Sequence, residues 1–115
     1  MNAVITRLAD AGCDIGKGLE TNYNEEELYI SSLRAFAEDD TPQKMESAVA
    51  GNDLKQCRLY ACSFRRVLYN LGMREMYYLN DSILNSAERG NSELRRLVRR
   101  LVLKKNEMTA IIRSV

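Results

Sequence analysis

The sequence predicts an all-α protein, an up-and-down four-helix bundle with short extra helices at the N-terminus and between the main ones. Its 115 residues suffice for one domain with a single core. One proline, six glycines and no tryptophan favour helices over a turn-rich β-protein. Apolar residues recur at three- and four-residue steps, and no strand-like alternation of useful length is found. We therefore expect one helical bundle domain, residues 1–115.

The N-terminal segment predicts one short helix followed by a turn-rich connection. The helix carries three apolar residues at helical spacing, Val4, Ile5 and Leu8. It is expected to end near Ala11-Gly12, because glycine suits the left-handed position after a helix. Residues 14–19, which contain two glycines, are interpreted as the connection.

The first main helix is predicted over about residues 25–39. Asn24 with Glu27 three residues later is a capping-box variant, with acidic side chains in the first turn. Its apolar face comprises Leu28, Tyr29, Leu33 and Phe36. Thr41-Pro42 then predicts an N-cap and first turn of a short connecting helix that carries Met45 and Val49 and stops at Gly51.

Three further main helices are predicted over about residues 53–70, 73–89 and 93–113. Asn52 or Asp53 caps the first of them, and Gly72 ends it. The second faces inward through Met76, Ile83, Leu84 and Ala87, and stops at Gly90. Ser92 opens the third.

Residues 60–72 read Tyr-Ala-Cys-Ser-Phe-Arg-Arg-Val-Leu-Tyr-Asn-Leu-Gly. This segment resembles the central motif of histidine phosphotransfer (HPt) domains, which place a phospho-accepting histidine after an alanine. Four positions match outright, Ala61, Ser63, Asn70 and Gly72. Cys62 stands in place of the histidine, and Arg66 in place of the family's glycine. The resemblance extends over about residues 14–90, since Gly18-Leu19 and Leu28-Tyr29 are similar to the family's opening.

The resemblance implies a phosphorelay domain of two-component signalling. The sequence contains no histidine, so histidyl phosphotransfer is excluded and no enzymatic activity is expected. We expect a degenerate HPt domain, a non-catalytic binding or regulatory module that docks a receiver (response regulator) or histidine kinase domain. Arg66 adds bulk and charge that would either pair with an acidic receiver site or block docking, and the sequence leaves both open.

Helical periodicity independently places Cys62 on the polar side of its helix. The core stripe of that helix is Cys57, Tyr60, Ala61, Phe64, Val67, Leu68 and Leu71. The helical neighbours of Cys62 are Arg58 at i−4, Arg65 at i+3, Arg66 at i+4 and Tyr69 at i+7. We predict that these five residues form the partner-docking face, with Cys62 exposed at the position equivalent to the phospho-acceptor.

A redox-sensitive thiol switch is an alternative function. Positive charge nearby is expected to raise the reactivity of the Cys62 thiol. Cys57 lies on the core stripe and Cys13 lies near a turn, so neither is an obvious resolving thiol. Drift from histidine to a cysteine without chemistry is the simpler interpretation.

Charge is divided unevenly along the chain. Residues 1–56 carry a net charge of −6 and residues 57–115 carry +7. Much of the positive charge lies on the last helix, at Arg95, Arg96, Arg99, Arg100, Lys104 and Lys105. This pattern predicts either complementary helix faces within the bundle or a face offered to a partner. Nucleic-acid binding is less favoured, since no helix-turn-helix spacing accompanies the charge.

A structural protein that dimerises through the last helix, with Leu97 and Leu101 as the positions to test, is the third alternative. The expected oligomeric state is a monomer or a weak homodimer. No metal site or cofactor is expected, because the chain has no histidine and no Cys-x-x-Cys pair. Three unpaired cysteines indicate reduced thiols in a cytoplasm. No transmembrane segment or signal peptide is predicted.

Overall fold

The computed structural model describes residues 2–86 and 91–114. Within these residues the chain is entirely helical and contains no strand, as predicted. The helices are α1 (Ala3–Asp10), α2 (Ile15–Thr21), α3 (Glu26–Ala37), α4 (Thr41–Ala50), α5 (Leu54–Leu71), α6 (Arg74–Ser86) and α7 (Asn91–Ile112). The positions predicted for Ala87 and Gly90 lie outside the described residues.

Residues 14–19 form the start of helix α2, so the prediction of a turn-rich connection was wrong. Asp14 caps this helix, and its Oδ1 accepts a hydrogen bond of 3.1 Å from the Lys17 N–H. The side-chain cap satisfies a backbone donor that the helix leaves unpaired, and this offsets the low helix propensity of two glycines. One of them, Gly18, is buried against Tyr29, so tertiary packing decides the conformation of the segment.

The capping box predicted at Asn24 does not form. Asn24 has a left-handed backbone with φ of 56°, and its N–H donates to the Leu19 carbonyl at 2.7 Å. Asn24 therefore closes α2, while Glu25 precedes α3 without a side-chain cap. Thr41 is likewise one position inside α4, where Asp39 Oδ1 accepts its N–H at 2.9 Å. Asp53 caps α5 as predicted, accepting from the Gln56 N–H at 3.1 Å.

Four helices pack in a closed ring in which α4 contacts α5, α5 contacts α6, α6 contacts α7 and α7 contacts α4. Helix α3 packs on α5 and α7, while α2 packs on α5 and α1 on α7. Helix α4 was predicted only as a connection, but its Met45 and Val49 are fully buried. Leu28, in contrast, is 42% exposed, because Tyr29, Leu33 and Phe36 fill the buried side of α3.

Candidate functional site

The outward face of α5 carries the residues predicted to dock a partner. Arg58, Cys62, Arg65, Arg66 and Tyr69 are all exposed. The opposite side of the helix is buried through Cys57, Ala61, Phe64, Leu68 and Leu71. The helix is therefore amphipathic as its periodicity predicts, with Cys62 in the middle of the exposed face.

Arg65 is held by the neighbouring helix α6. Its Nε lies 3.0 Å from Asp81 Oδ1, and its guanidinium lies 5.5 Å from the centre of the Tyr77 ring. The Asp81 carboxylate raises the pKa of Arg65 above its usual value, since it favours the charged guanidinium. Arg65 therefore lies on the exposed face of α5 and also forms an ion pair between helices.

At the C-terminal end of this face, Tyr69 lies in an aromatic cluster. Its ring centre is 5.8 Å from that of Tyr77, which in turn is 5.7 Å from that of Tyr78. Lys17 Nζ lies 4.3 Å from the centre of the Tyr69 ring, a cation–π contact. A hydrogen bond to Tyr69 raises the pKa of Lys17. These residues border a cleft of about 120 Å³ between α2, α5 and α6.

The last turn of α5, which positions Tyr69, is tied to the N-terminal part of the chain. Its final carbonyls have no partners within the helix and need donors from elsewhere. Three groups donate hydrogen bonds to the carbonyls at this end. Thr21 Oγ1 donates to Asn70 O, and Tyr29 Oη donates to Leu71 O at 2.8 Å. The Asp14 N–H donates to Gly72 O at 2.8 Å. The end of α5 is therefore fixed in place by α2 and α3.

Two glycines permit this close approach. Gly72 has a left-handed φ of 73°, and a Cβ atom there would collide with the backbone carbonyl of Asp14. A Cβ atom on Gly18 would collide with the Tyr29 ring. Both positions require glycine because another segment occupies the space of a side chain.

A second tie lies directly beneath Cys62. Buried Asn80 of α6 donates from Nδ2 to the carbonyl of Ala61 at 2.9 Å. Asn80 Oδ1 has no hydrogen-bond partner in the described part of the chain. Asn80 and its neighbour Asp81 thus hold α6 against α5 at Ala61 and Arg65, on either side of Cys62.

The three cysteines differ in environment. Burial raises the pKa of Cys57 to about 11. Burial also raises the pKa of Cys13 to about 11, while Lys104 acts in the opposite direction. Cys62 is the exposed one of the three. The arrangement offers one fully exposed thiol, at Cys62, while Cys13 is half-buried and Cys57 is buried.

The basic residues of α7 are partly neutralised within the molecule. Arg99 Nη1 lies 3.2 Å from Glu46 Oε2, and Nη2 of Arg113, the residue directly after α7, lies 2.6 Å from Glu38 Oε1. These pairs join the basic last helix to the acidic first half of the chain. The prediction of complementary faces is therefore met at these two positions.

Lys105 was predicted on the exposed basic face of α7 but is buried. Its Nζ donates to the Ala37 carbonyl at 3.2 Å and lies 5.0 Å from the centre of the Phe36 ring. Burial lowers the pKa of Lys105. Leu97 and Leu101, named above as dimer contacts, are likewise buried within the chain's own core.

Sequence reasoning missed three residues around the candidate face: Lys17, Tyr77 and Asp81. Each reaches the face from another helix, so the periodicity of α5 contains no signal for them. It also missed Leu59, which lies three residues before Cys62 on the same helix and is 51% exposed. Leu59 could have been identified from the sequence, because it is an apolar residue that lies outside the core stripe of α5.

Residues 2–86 and 91–114 contain no cluster of three histidine, cysteine, aspartate or glutamate side chains suited to a metal ion. None of the helices described is both long and apolar enough to cross a membrane. Comparisons with protein-family profiles, curated protein sequences and solved structures return no match.

Proposed function

We propose that the protein is a degenerate HPt-like four-helix bundle that binds a receiver or histidine kinase domain and regulates two-component signalling without transferring phosphate. The observation that carries the proposal is the position of Cys62. It is exposed in the middle of a long helix, on a face with Arg58 and Arg66, where the resemblance places the phospho-acceptor. The ring of α4, α5, α6 and α7 supports the bundle architecture.

The packing gives the motif residues a shared physical role. Gly18, Tyr29 and Gly72 come from three separate segments, and all three take part in fixing the end of α5. In the resemblance these residues define the family's opening and the end of its central motif. Their convergence at one place supports a common fold, because unrelated matches have no reason to meet in space.

Charge favours an acidic partner surface. The resemblance implies a receiver whose active site is acidic, and the α5 face presents exposed arginines on both sides of Cys62. Complementary charge steers encounter and fixes orientation. Exposed Leu59 and Tyr69 add the apolar and aromatic area that interfaces use at their centre.

The test is affinity capture from lysate of the source organism, with captured proteins identified by mass spectrometry. The wild type is compared with an Arg58→Glu/Arg66→Glu variant. Arg65 is left intact, because its replacement would break the contact with Asp81. An Arg96→Glu/Arg100→Glu variant on α7 changes the net charge equally and serves as the control.

We expect the wild type and the α7 control to capture proteins that contain a receiver or kinase domain. The α5 variant should not capture them. Circular dichroism and thermal unfolding verify that each variant is folded. If the α5 variant captures the same signalling proteins as the wild type, or if no signalling protein is captured, docking through this face is refuted.

A further inference from the structure

Three sulfur atoms meet at a place that the proposed docking face does not use. Cys13 Sγ lies 3.7 Å from Met73 Sδ and 3.8 Å from Met108 Sδ. Both methionines are almost fully buried, and Cys13 is half-buried. Met73 and Met108 lie 60 and 95 positions after Cys13 in the sequence, so only the fold brings the three residues together.

The cluster places one weak hydrogen-bond donor beside two sulfur acceptors. A cysteine S–H is a single weak donor, and each thioether sulfur is an acceptor. Two thioethers nevertheless lie at nearly equal distances from the same sulfur. Only one of them at a time receives the proton, so the cluster contains more sulfur lone pairs than donors.

The distances from Cys13 to the two thioethers suit a metal ion bound by the thiolate and both methionines. Metal–sulfur bonds are about 2.3 Å long, so the sulfurs of a trigonal site lie about 4 Å apart. The distances from Cys13 to each thioether are within a few tenths of an ångström of this value. A cavity of about 10 Å³ adjoins the cluster, lined also by Gly12, Met76 and Lys104. That volume is about one water-sized sphere, which exceeds the size of a small metal ion.

The ligands are positioned by well-ordered backbone. Cys13 closes the C-terminus of α1, where its N–H donates to Leu8 O at 3.0 Å. Met73 follows the Gly72 turn, and its N–H donates to Leu68 O at 3.0 Å. Met108 lies within the long helix α7. Ligands held in this way lose little freedom when they bind an ion.

Charge and softness select the ion. Thiolate and thioether sulfurs favour copper(I) over harder divalent ions. One thiolate neutralises one monovalent cation, and the charged side chains of Lys104 and Glu75 that also line the cavity pair with each other at 2.7 Å. The chain contains no histidine to supply a competing nitrogen ligand.

We propose that Cys13, Met73 and Met108 form a binding site for a soft monovalent cation, copper(I). On binding, the Cys13 S–H bond breaks and its proton passes to solvent. A copper–thiolate bond forms, and the two thioethers each donate a lone pair. No oxidation state changes. This inference is independent of the docking function proposed above.

The test is a titration of the reduced full-length chain with copper(I), in competition with a chromophoric copper(I) chelator under anaerobic conditions. Cys62→Ser is the starting protein, because an exposed thiol would bind the ion on its own. It is compared with Cys62→Ser/Met73→Leu/Met108→Leu. Methionine-to-leucine changes conserve volume and usually lower stability by less than about 1.5 kcal/mol each, so the variant is expected to fold.

We expect Cys62→Ser to bind one equivalent and to unfold at a higher temperature with silver(I), a redox-stable substitute, because a ligand of the native state stabilises it. The double leucine variant should bind more weakly by a factor greater than the roughly 10–100 that loss of an outer-shell partner produces. X-ray absorption should show three sulfur neighbours. If Cys62→Ser does not compete with the chelator, or if the leucine changes leave affinity unaltered, the site is refuted.

Discussion

The Tyr29 hydroxyl in α3 donates a hydrogen bond of 2.8 Å to the Leu71 carbonyl at the end of α5. Both groups are buried. Burial raises the pKa of Tyr29, so the hydroxyl stays protonated and available as a donor. The bond connects two residues that lie 42 positions apart in the sequence, and so joins α3 to α5. It gives the Leu71 carbonyl a hydrogen-bond donor that α5 itself does not provide.

Tyr29→Phe is therefore expected to destabilise the protein although it removes a single oxygen. The Leu71 carbonyl would be left buried without this donor, a change of about 1–3 kcal/mol. Urea unfolding followed by circular dichroism measures the difference. Tyr23→Phe is the matched control, because Tyr23 is 81% exposed, and it should leave the stability unchanged. Equal stability of both variants would contradict the role given to Tyr29.

Gly72→Ala is expected to destabilise the protein more than Gly12→Ala. Both glycines have positive φ, a strain of about 1–3 kcal/mol for alanine. Only Gly72 also faces a collision with the Asp14 backbone, since a Cβ atom on Gly12 would meet open space. The difference between the unfolding free energies of the two variants measures the cost of the collision, because the backbone strain is common to both. A smaller loss at Gly72 than at Gly12 would argue against the close approach of α2 and α5.

Thiol labelling should distinguish the three cysteines in the order of their exposure. We expect Cys62 to react first with a disulfide reagent in the native protein, Cys13 more slowly, and Cys57 only on unfolding. Mass spectrometry after timed quenching locates the label. The rate at Cys62 also tests the thiol-switch alternative. A rate near that of an exposed reference thiol at neutral pH would remove support for the switch, and a much faster rate would favour it.

The contribution of Cys57 to stability should decline in alkaline solution. Its thiol pKa is raised to about 11 in the folded protein from an ordinary 9.0. Between these values the folded chain keeps a proton that the unfolded chain releases, so the free energy of unfolding falls as pH rises. A two-unit shift corresponds to at most about 3 kcal/mol.

The measurement for Cys57 is the difference in unfolding free energy between the wild type and Cys57→Ala at pH 8 and at pH 10.5. Subtraction removes the titration of lysines and tyrosines that both proteins share. The advantage of the wild type should narrow at the higher pH. A constant difference would mean that the thiol titrates alike in both states.

Introducing a histidine at position 62 is the strictest test of the proposed HPt-like function. Cys62→His with Arg66→Gly places an imidazole on the exposed face and removes the bulk beside it. We expect this variant to accept a phosphoryl group from a captured receiver phosphorylated on aspartate. Acid-labile phosphate on the variant is the readout, with Cys62→Gln/Arg66→Gly as the control. A receiver that binds the wild type but never phosphorylates the histidine variant would show that the face docks in another geometry.

Local signals in the sequence predicted most helices correctly, because periodic apolar residues and caps act within one helix. Asp53 and Gly72 bound α5 as expected. The prediction was wrong at residues 14–19, where two glycines indicated a turn. Packing of Gly18 against Tyr29 determines the helix there, and this contact between distant segments leaves no periodic pattern.

The candidate site was predictable only along its own helix. The four-residue spacing of Arg58, Cys62 and Arg66 predicted that they share an exposed face, because all three lie on one helix. The partners of Arg65 and Tyr69 come from α2 and α6, and the burial of Lys105 depends on its contact with the end of α3. Contacts of this kind require the packed structure.

The ties at the end of α5 also impose an order on folding during synthesis. The donors at Asp14, Thr21 and Tyr29 are synthesised before the carbonyls of Asn70, Leu71 and Gly72. Helix α2 therefore has to wait for more than forty further residues before its docking partner exists.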